Sequence, residues 1–273
     1  MPPPSGPQAG WYRDPHGYAA LRYFDGCRWT GHTAPLTQPP RPREEHPVLP
    51  VQAAVGAAVV LIASLLASRY LLEYLIRFDW PIVVYALIGI AVGYGPSVGW
   101  CTYSSHRWGT GRLATDVGLR FRWSDLGWGP VAWLAALGCE VVVLVIVQLA
   151  DIPLVSNTEG IGELDLDRTY VIALLITAVV AAPIVEEMIF RGLMLRGLRS
   201  RMTAVAAVAV QGILFGLAHV DPLRGAGNVG LVLVLAAVGV AFGGAAYLLR
   251  RIGPTIIAHA IFNGIVMAVV LTR

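Results

Sequence analysis

Lysine is absent from this chain, and charge of any kind is scarce: 14% of 273 residues are charged, and all 20 positive side chains other than histidine are arginine. With 56% hydrophobic residues and a mean hydropathy of +0.64, the chain is too apolar for a soluble domain of its length and reads as a polytopic membrane protein. Cysteine is nearly missing too. Cys27, Cys101 and Cys139 stand far apart with no C-x-x-C pair, which excludes a disulfide framework and a cysteine-based metal centre. The opening Met1-Pro-Pro-Pro-Ser5-Gly6 has neither a basic stretch nor an apolar core, so the first apolar run is expected to be retained rather than cleaved. The net charge of +3 reflects arginines at the ends of apolar runs, not a footprint for nucleic acid.

Seven runs are long enough to cross about 30 Å of hydrocarbon. They are Val51 to Ser68, Trp80 to Trp100, Gly127 to Ala150, Thr169 to Glu187, Met202 to Val220, Asn228 to Leu249 and Pro254 to Leu271. The arginines fall after alternate runs. Arg41 and Arg43 precede the first, Arg107, Arg112, Arg120 and Arg122 follow the second, Arg191, Arg196, Arg199 and Arg201 the fourth, and Arg250 and Arg251 the sixth. By the positive-inside rule this side is cytoplasmic, which puts the N-terminus inside and the C-terminus outside, with the bilayer of the inner (plasma) membrane as obligate partner. The opposite loop, Asp151 to Arg168, is acidic and agrees. The fold expected is an all-α polytopic membrane protein of about seven transmembrane helices, preceded by a small antiparallel β meander.

The meander occupies residues 1–35. Trp11-Tyr12, Leu21 to Phe24 and Cys27 to Thr30 read as short strands, with Asp14-Pro15 through Gly17 and then Asp25-Gly26 as turns. Its aromatics are either a docking surface or the minimal core that so small a sheet needs. Residues 36–50, with Pro39-Pro40-Arg41-Pro42-Arg43, read as a semi-rigid Pro-rich linker. N-terminal transmembrane helices follow over 51–168 and a helical core over 169–273. Gly239, Gly243 and Gly244 suit close helix packing. Residues 116–123 alternate apolar side chains with Arg120 and Arg122, as a segment in the headgroup layer would, or a strand or loop against the bundle.

Three polar clusters interrupt the last spans. In Glu186-Glu187-x-x-x-Arg191, Glu187 and Arg191 are one helical turn apart and can pair, while Glu186 lies about 100° away and is the freer carboxylate. Pro183 can kink the helix just before them. Phe215-x-x-x-His219 lies in the fifth span, and His259-x-x-x-Asn263 puts imidazole and amide on one face of the seventh. Polar groups at that depth are costly alone, which suggests that the clusters satisfy one another. Read singly, the first is a helix-capping ion pair and the histidines are packing groups; Glu140, in the third span, reads as a pairing acid.

Together, and in this order, the clusters resemble the CAAX protease and bacteriocin-processing family of intramembrane proteases, also called the Abi family, over about Thr169 to Val270. The resemblance implies an intramembrane endopeptidase. Glu186 would activate water as general base with His219 helping to hold it, and His259 and Asn263 would stabilise the oxyanion. Glu187, Arg191 and Phe215 would support them. The family is commonly labelled metallopeptidase, and a metal-free glutamate mechanism is also proposed for some members; a zinc ion, if used, would sit on Glu186, His219 and His259. The implied substrate is a hydrophobic peptide or membrane-protein segment. Residues 10–32 resemble a short tryptophan-rich domain of unknown function found at the termini of bacterial membrane proteins, with no known partner. The alternative from another class is a non-catalytic membrane immunity or scaffold protein.

Overall fold

The computed structural model describes residues 9–18, 20–35, 49–156, 158, 168–221 and 225–272. Most of the Pro-rich linker and of the acidic loop lies outside the described residues. The chain divides into two compact units, residues 1–45 and 46–273.

The first unit is a three-stranded antiparallel meander of β1 (Gly10–Arg13), β2 (Leu21–Phe24) and β3 (Trp29–Ala34), in that order. Gly10 pairs with Phe24 and Arg13 with Leu21, and Phe24 faces Trp29 across the second hairpin. The third strand begins two residues later than its sequence suggests and runs on to Ala34. Asp25 is the reason. Its Oδ1 accepts the amides of both Cys27 and Arg28 at 2.8 Å, holding them in the turn and out of the ladder. Edge-on ring contacts join Trp11 to Tyr23 and Phe24 to Trp29, with centroids 5.4 and 5.2 Å apart. Arg22 binds Asp14 at 2.9 Å and closes the first hairpin.

The second unit is a helical bundle. Helix α1 (Val51–Leu75) pairs with α2 (Ile82–Trp108), and a one-turn helix α3 (Leu113–Asp116) leads into α4 (Asp125–Leu149). Then come the long helix α5 (Arg168–Leu198), α6 (Ala204–Leu217), α7 (Gly227–Leu249) and α8 (Gly253–Leu271). Among the described residues, six helices are long and apolar enough to span a membrane. The expected fifth span forms only the 14-residue α6, started by the Thr203 hydroxyl, which accepts the Ala206 amide at 3.3 Å.

Close packing sets the heights at which side chains meet. Ser64 donates to the Gly93 carbonyl at 2.8 Å and the Trp100 indole to the Ala53 carbonyl at 3.0 Å, which locks α2 against α1. Helices α6 and α7 pack so tightly at Gly239 that a Cβ there would come within 2.9 Å of the Gly212 Cα. At the arginine-rich end, the fully buried Asp125 carboxylate accepts Arg251 Nη2 at 2.6 Å and the Arg122 amide at 3.0 Å, tying the start of α4 to the α7–α8 junction. The connector after α3 divides its residues. Val117 is fully buried against Gly192 of α5 and the Gly118 carbonyl accepts the Ile252 amide, whereas Phe121 and Trp123 are exposed.

Candidate active site

Helix α5 is not uniformly α-helical. Two stretches with i→i+5 bonding, Thr177–Ala181 and Met188–Met194, flank the six α-helical residues Ala182–Glu187. Widened turns of this kind re-aim side chains and concentrate at functional sites. The first follows from Pro183. The Ala182 amide donates to the Thr177 carbonyl; the next amide in that register would be position 183, which has none. The carbonyl it would serve, Ala178, instead accepts Nδ2 of Asn263 at 2.7 Å. A proline in α5 thus creates the acceptor that anchors an asparagine of α8.

One turn on, the two glutamates diverge. Glu187 is fully buried and its Oε1 accepts Arg191 Nη1 at 2.9 Å and His259 Nδ1 at 3.1 Å. Arg191, also buried, donates Nη2 to the Gly239 carbonyl at 3.2 Å and lies 4.4 Å from the Phe215 ring centre. Gln211 donates to that same carbonyl at 2.8 Å, so the approach of α6 to α7 helps fix the arginine. Charges this deeply buried are tolerable only when paired and hydrogen-bonded.

Glu186 points elsewhere. Its Oε1 accepts the Tyr94 hydroxyl of α2 at 2.6 Å, and its Oε2 is buried with no hydrogen-bond partner among the described residues. That oxygen lies 3.9 Å from His259 Nε2, too far for a direct hydrogen bond and near enough for both to reach one substrate atom. A carboxylate turned to Nδ1 of His259 and a second carboxylate facing Nε2 fix the ring in one orientation.

His219 follows the last turn of α6. Its Nδ1 bonds the Phe215 carbonyl at 2.8 Å, and since a carbonyl only accepts, this nitrogen carries the proton and Nε2 the lone pair. The Phe215 ring touches both imidazoles, with centroids 4.9 Å from His219 and 5.8 Å from His259. The structure therefore joins Glu187, Arg191 and His259 by direct polar contact, sets Glu186 opposite His259 at 3.9 Å and links His219 through Phe215, while Asn263 is held from the side by α5. Tyr94 escaped the sequence reading. A tyrosine in an apolar span, 92 positions before its partner, carries no local signal.

Among the described residues no group of three or more His, Cys, Asp or Glu side chains is arranged to hold an ion.

Beside Asn263 opens a cavity of about 500 Å³, lined by Glu140, Leu144, Ala178, Phe262 and Met267 among others. Glu140 has no hydrogen-bond or ion-pair partner among the described residues, in contrast to the pairing role its sequence position suggests.

Residues 168–265 match the family model described as type II CAAX prenyl endopeptidase Rce1-like, and residues 9–42 match a protein of unknown function (DUF2510). No curated protein and no solved structure matches the chain. Glu186, His219, His259 and Asn263 all fall inside the first match, so the chain is similar to the Rce1-like CAAX prenyl endopeptidases over the segment that carries the candidate site, and to a domain of unknown function at its N-terminal end.

Proposed function

We propose that the protein is an intramembrane endopeptidase in which Glu186 is the general base. The observation that carries this reading is the contrast within Glu186: one oxygen is fixed by Tyr94 and the other is buried and unpartnered, facing His259. A water held between Glu186 Oε2 and Nε2 of His219 loses a proton to the carboxylate as its oxygen attacks the substrate's carbonyl carbon. The carbonyl π bond breaks and the oxygen becomes an oxyanion. In this scheme His259 acts as an imidazolium, donating Nδ1–H to Glu187 and Nε2–H to that oxygen, and the second Nδ2 proton of Asn263 supplies a further donor. Collapse of the intermediate breaks the C–N bond, and Glu186 returns its proton to the leaving amine.

Glu187 and Arg191 are positioning residues in this scheme, since Glu187 orients His259 and Arg191 neutralises Glu187. The cavity beside Asn263 offers apolar walls to a substrate side chain, which favours a hydrophobic peptide or membrane-protein segment over a soluble one. The arginine-rich helix ends would face the cytoplasm in an inner membrane. No step requires a metal ion.

The test is cleavage of quenched CAAX-type and hydrophobic peptides by purified protein in water enriched in oxygen-18. The reading expects one heavy oxygen in the new carboxylate, loss of cleavage in His219→Ala, and survival of cleavage in chelator. Cleavage undiminished in His219→Ala, or abolished by chelator and restored by zinc, contradicts it.

A further inference from the structure

A second cavity, of about 960 Å³, opens at the arginine-rich end of the bundle between the connector after α3, the end of α5 and the α7–α8 junction. Seven arginines line it, and two are paired within the protein: Arg191 with Glu187 and Arg251 with Asp125. The other five, Arg120, Arg122, Arg196, Arg199 and Arg250, form no salt bridge among the described residues, although the Asp116 carboxylate acts on Arg196 at longer range. Asp116 is the acid in the lining, and its oxygens are taken by the Ser105 hydroxyl at 2.5 Å and by the amide and hydroxyl of Thr110. Arg196 is held in place all the same. Its guanidinium lies against the Cα of Gly118, where a Cβ would collide with it, and reaches the Arg250 carbonyl at 3.5 Å.

Like charges gathered this way repel unless an anion joins them: the cleft sets the Arg120 charge against Arg196, and Asp116 is one carboxylate among five such guanidiniums. Guanidinium forks match phosphate oxygens in geometry and charge. The depth selects the source. The cleft lies where α5 and α7 end and α8 begins, the level of lipid headgroups, and Leu248 on its wall is 77% exposed, as a residue meeting an acyl chain would be.

We propose that this cleft binds a phosphate group, supplied by the headgroup of an anionic phospholipid. The site does not depend on the peptidase reading, since none of the five free arginines takes part in the chemistry above.

The full-length protein in detergent is titrated with phosphatidylglycerol, with phosphatidylcholine and, separately, with inorganic phosphate. Retained lipid is read by native mass spectrometry and stabilisation by thermal unfolding. Arg120 and Arg122 are exposed and only their backbones are used in the connector, so Arg120→Gln/Arg122→Gln should unfold at the wild-type temperature without lipid. Wild type is expected to retain one phosphatidylglycerol saturably and phosphatidylcholine at least tenfold more weakly. The double variant should lose at least tenfold in phosphatidylglycerol affinity, while Arg107→Gln/Arg112→Gln, with two arginines fewer outside the cleft, binds as wild type does. Equal retention in wild type and R120Q/R122Q, or equal loss in both pairs of variants, overturns the site. Stabilisation by inorganic phosphate without retained phosphatidylglycerol overturns the lipid source.

Discussion

Tyr94 donates its hydroxyl to Glu186 Oε1 at 2.6 Å, and this bond from α2 separates the two adjacent glutamates into different roles. Without it Glu186 would be a second, partly buried acid beside Glu187. With it, one oxygen is held and the other is aimed at His259.

Tyr94→Phe should leave the fold intact and lower kcat by about 10- to 100-fold with a small change in KM, since a hydrogen bond to a charged group contributes about 1.5–3 kcal/mol. Steady-state peptide cleavage checks this. An unchanged kcat would mean that the tyrosine merely packs.

Breaking the buried pair should cost more in stability than removing it. Glu187→Leu or Arg191→Met alone leaves an uncompensated buried charge and is expected to destabilise by about 3–5 kcal/mol, whereas the double variant should recover most of that loss. Thermal unfolding of the three variants in detergent reads the coupling. His259 would lose its orienting carboxylate in the double variant, so stability should return and activity should not.

Pro183→Ala separates stability from catalysis in the opposite direction. The new amide can serve the Ala178 carbonyl and releases Asn263 from it. Removing a proline from a helix interior relieves up to about 3 kcal/mol. The variant is expected to unfold at or above the wild-type temperature and to cleave at least tenfold more slowly. A variant that gains stability and keeps full activity would show that the Asn263 anchor has no catalytic consequence.

The meander should respond to acid through Asp25. Amide hydrogen bonds from Arg28 and Cys27 hold its carboxyl below the ordinary value of 3.8. The unfolded hairpin therefore takes up the proton first, and the stabilisation is fully present above that ordinary value and is lost as pH falls through the lowered one. Hydrogen-exchange protection of residues 10–34 in the full chain should fall on acidification in wild type and be lower and flat with pH in Asp25→Ala.

How far the sequence carried the fold depends on the range of the interactions involved. Apolar runs and alternating arginines are properties of single segments, and six of the expected spans are helices of spanning length. The shortness of α6 was less legible, because apolar composition continues through Ala218 and Val220 while the His219 and Val220 amides turn to the Gly216 and Leu217 carbonyls and close the helix in a tight turn. Spacing alone indicated that Glu187 and Arg191 can pair, since both sit on one helix. Tyr94, the bond from Asn263 to Ala178 and the arginine cleft each join separate helices, and one-dimensional patterning does not report which helices touch. The widened turn before Glu186 arises from Pro183, so the kink could be anticipated and its consequence for Asn263 could not.

The most direct test of the account is Glu186→Gln, which keeps size and the Tyr94 contact while removing the base. Purified wild type and variant, matched for unfolding temperature, are compared on a hydrophobic peptide that the wild type cleaves. The account predicts a loss of at least 1,000-fold in kcat, with KM within a fewfold. Cleavage retained within about threefold would contradict it, removing Glu186 as the base and returning the non-catalytic scaffold to first place.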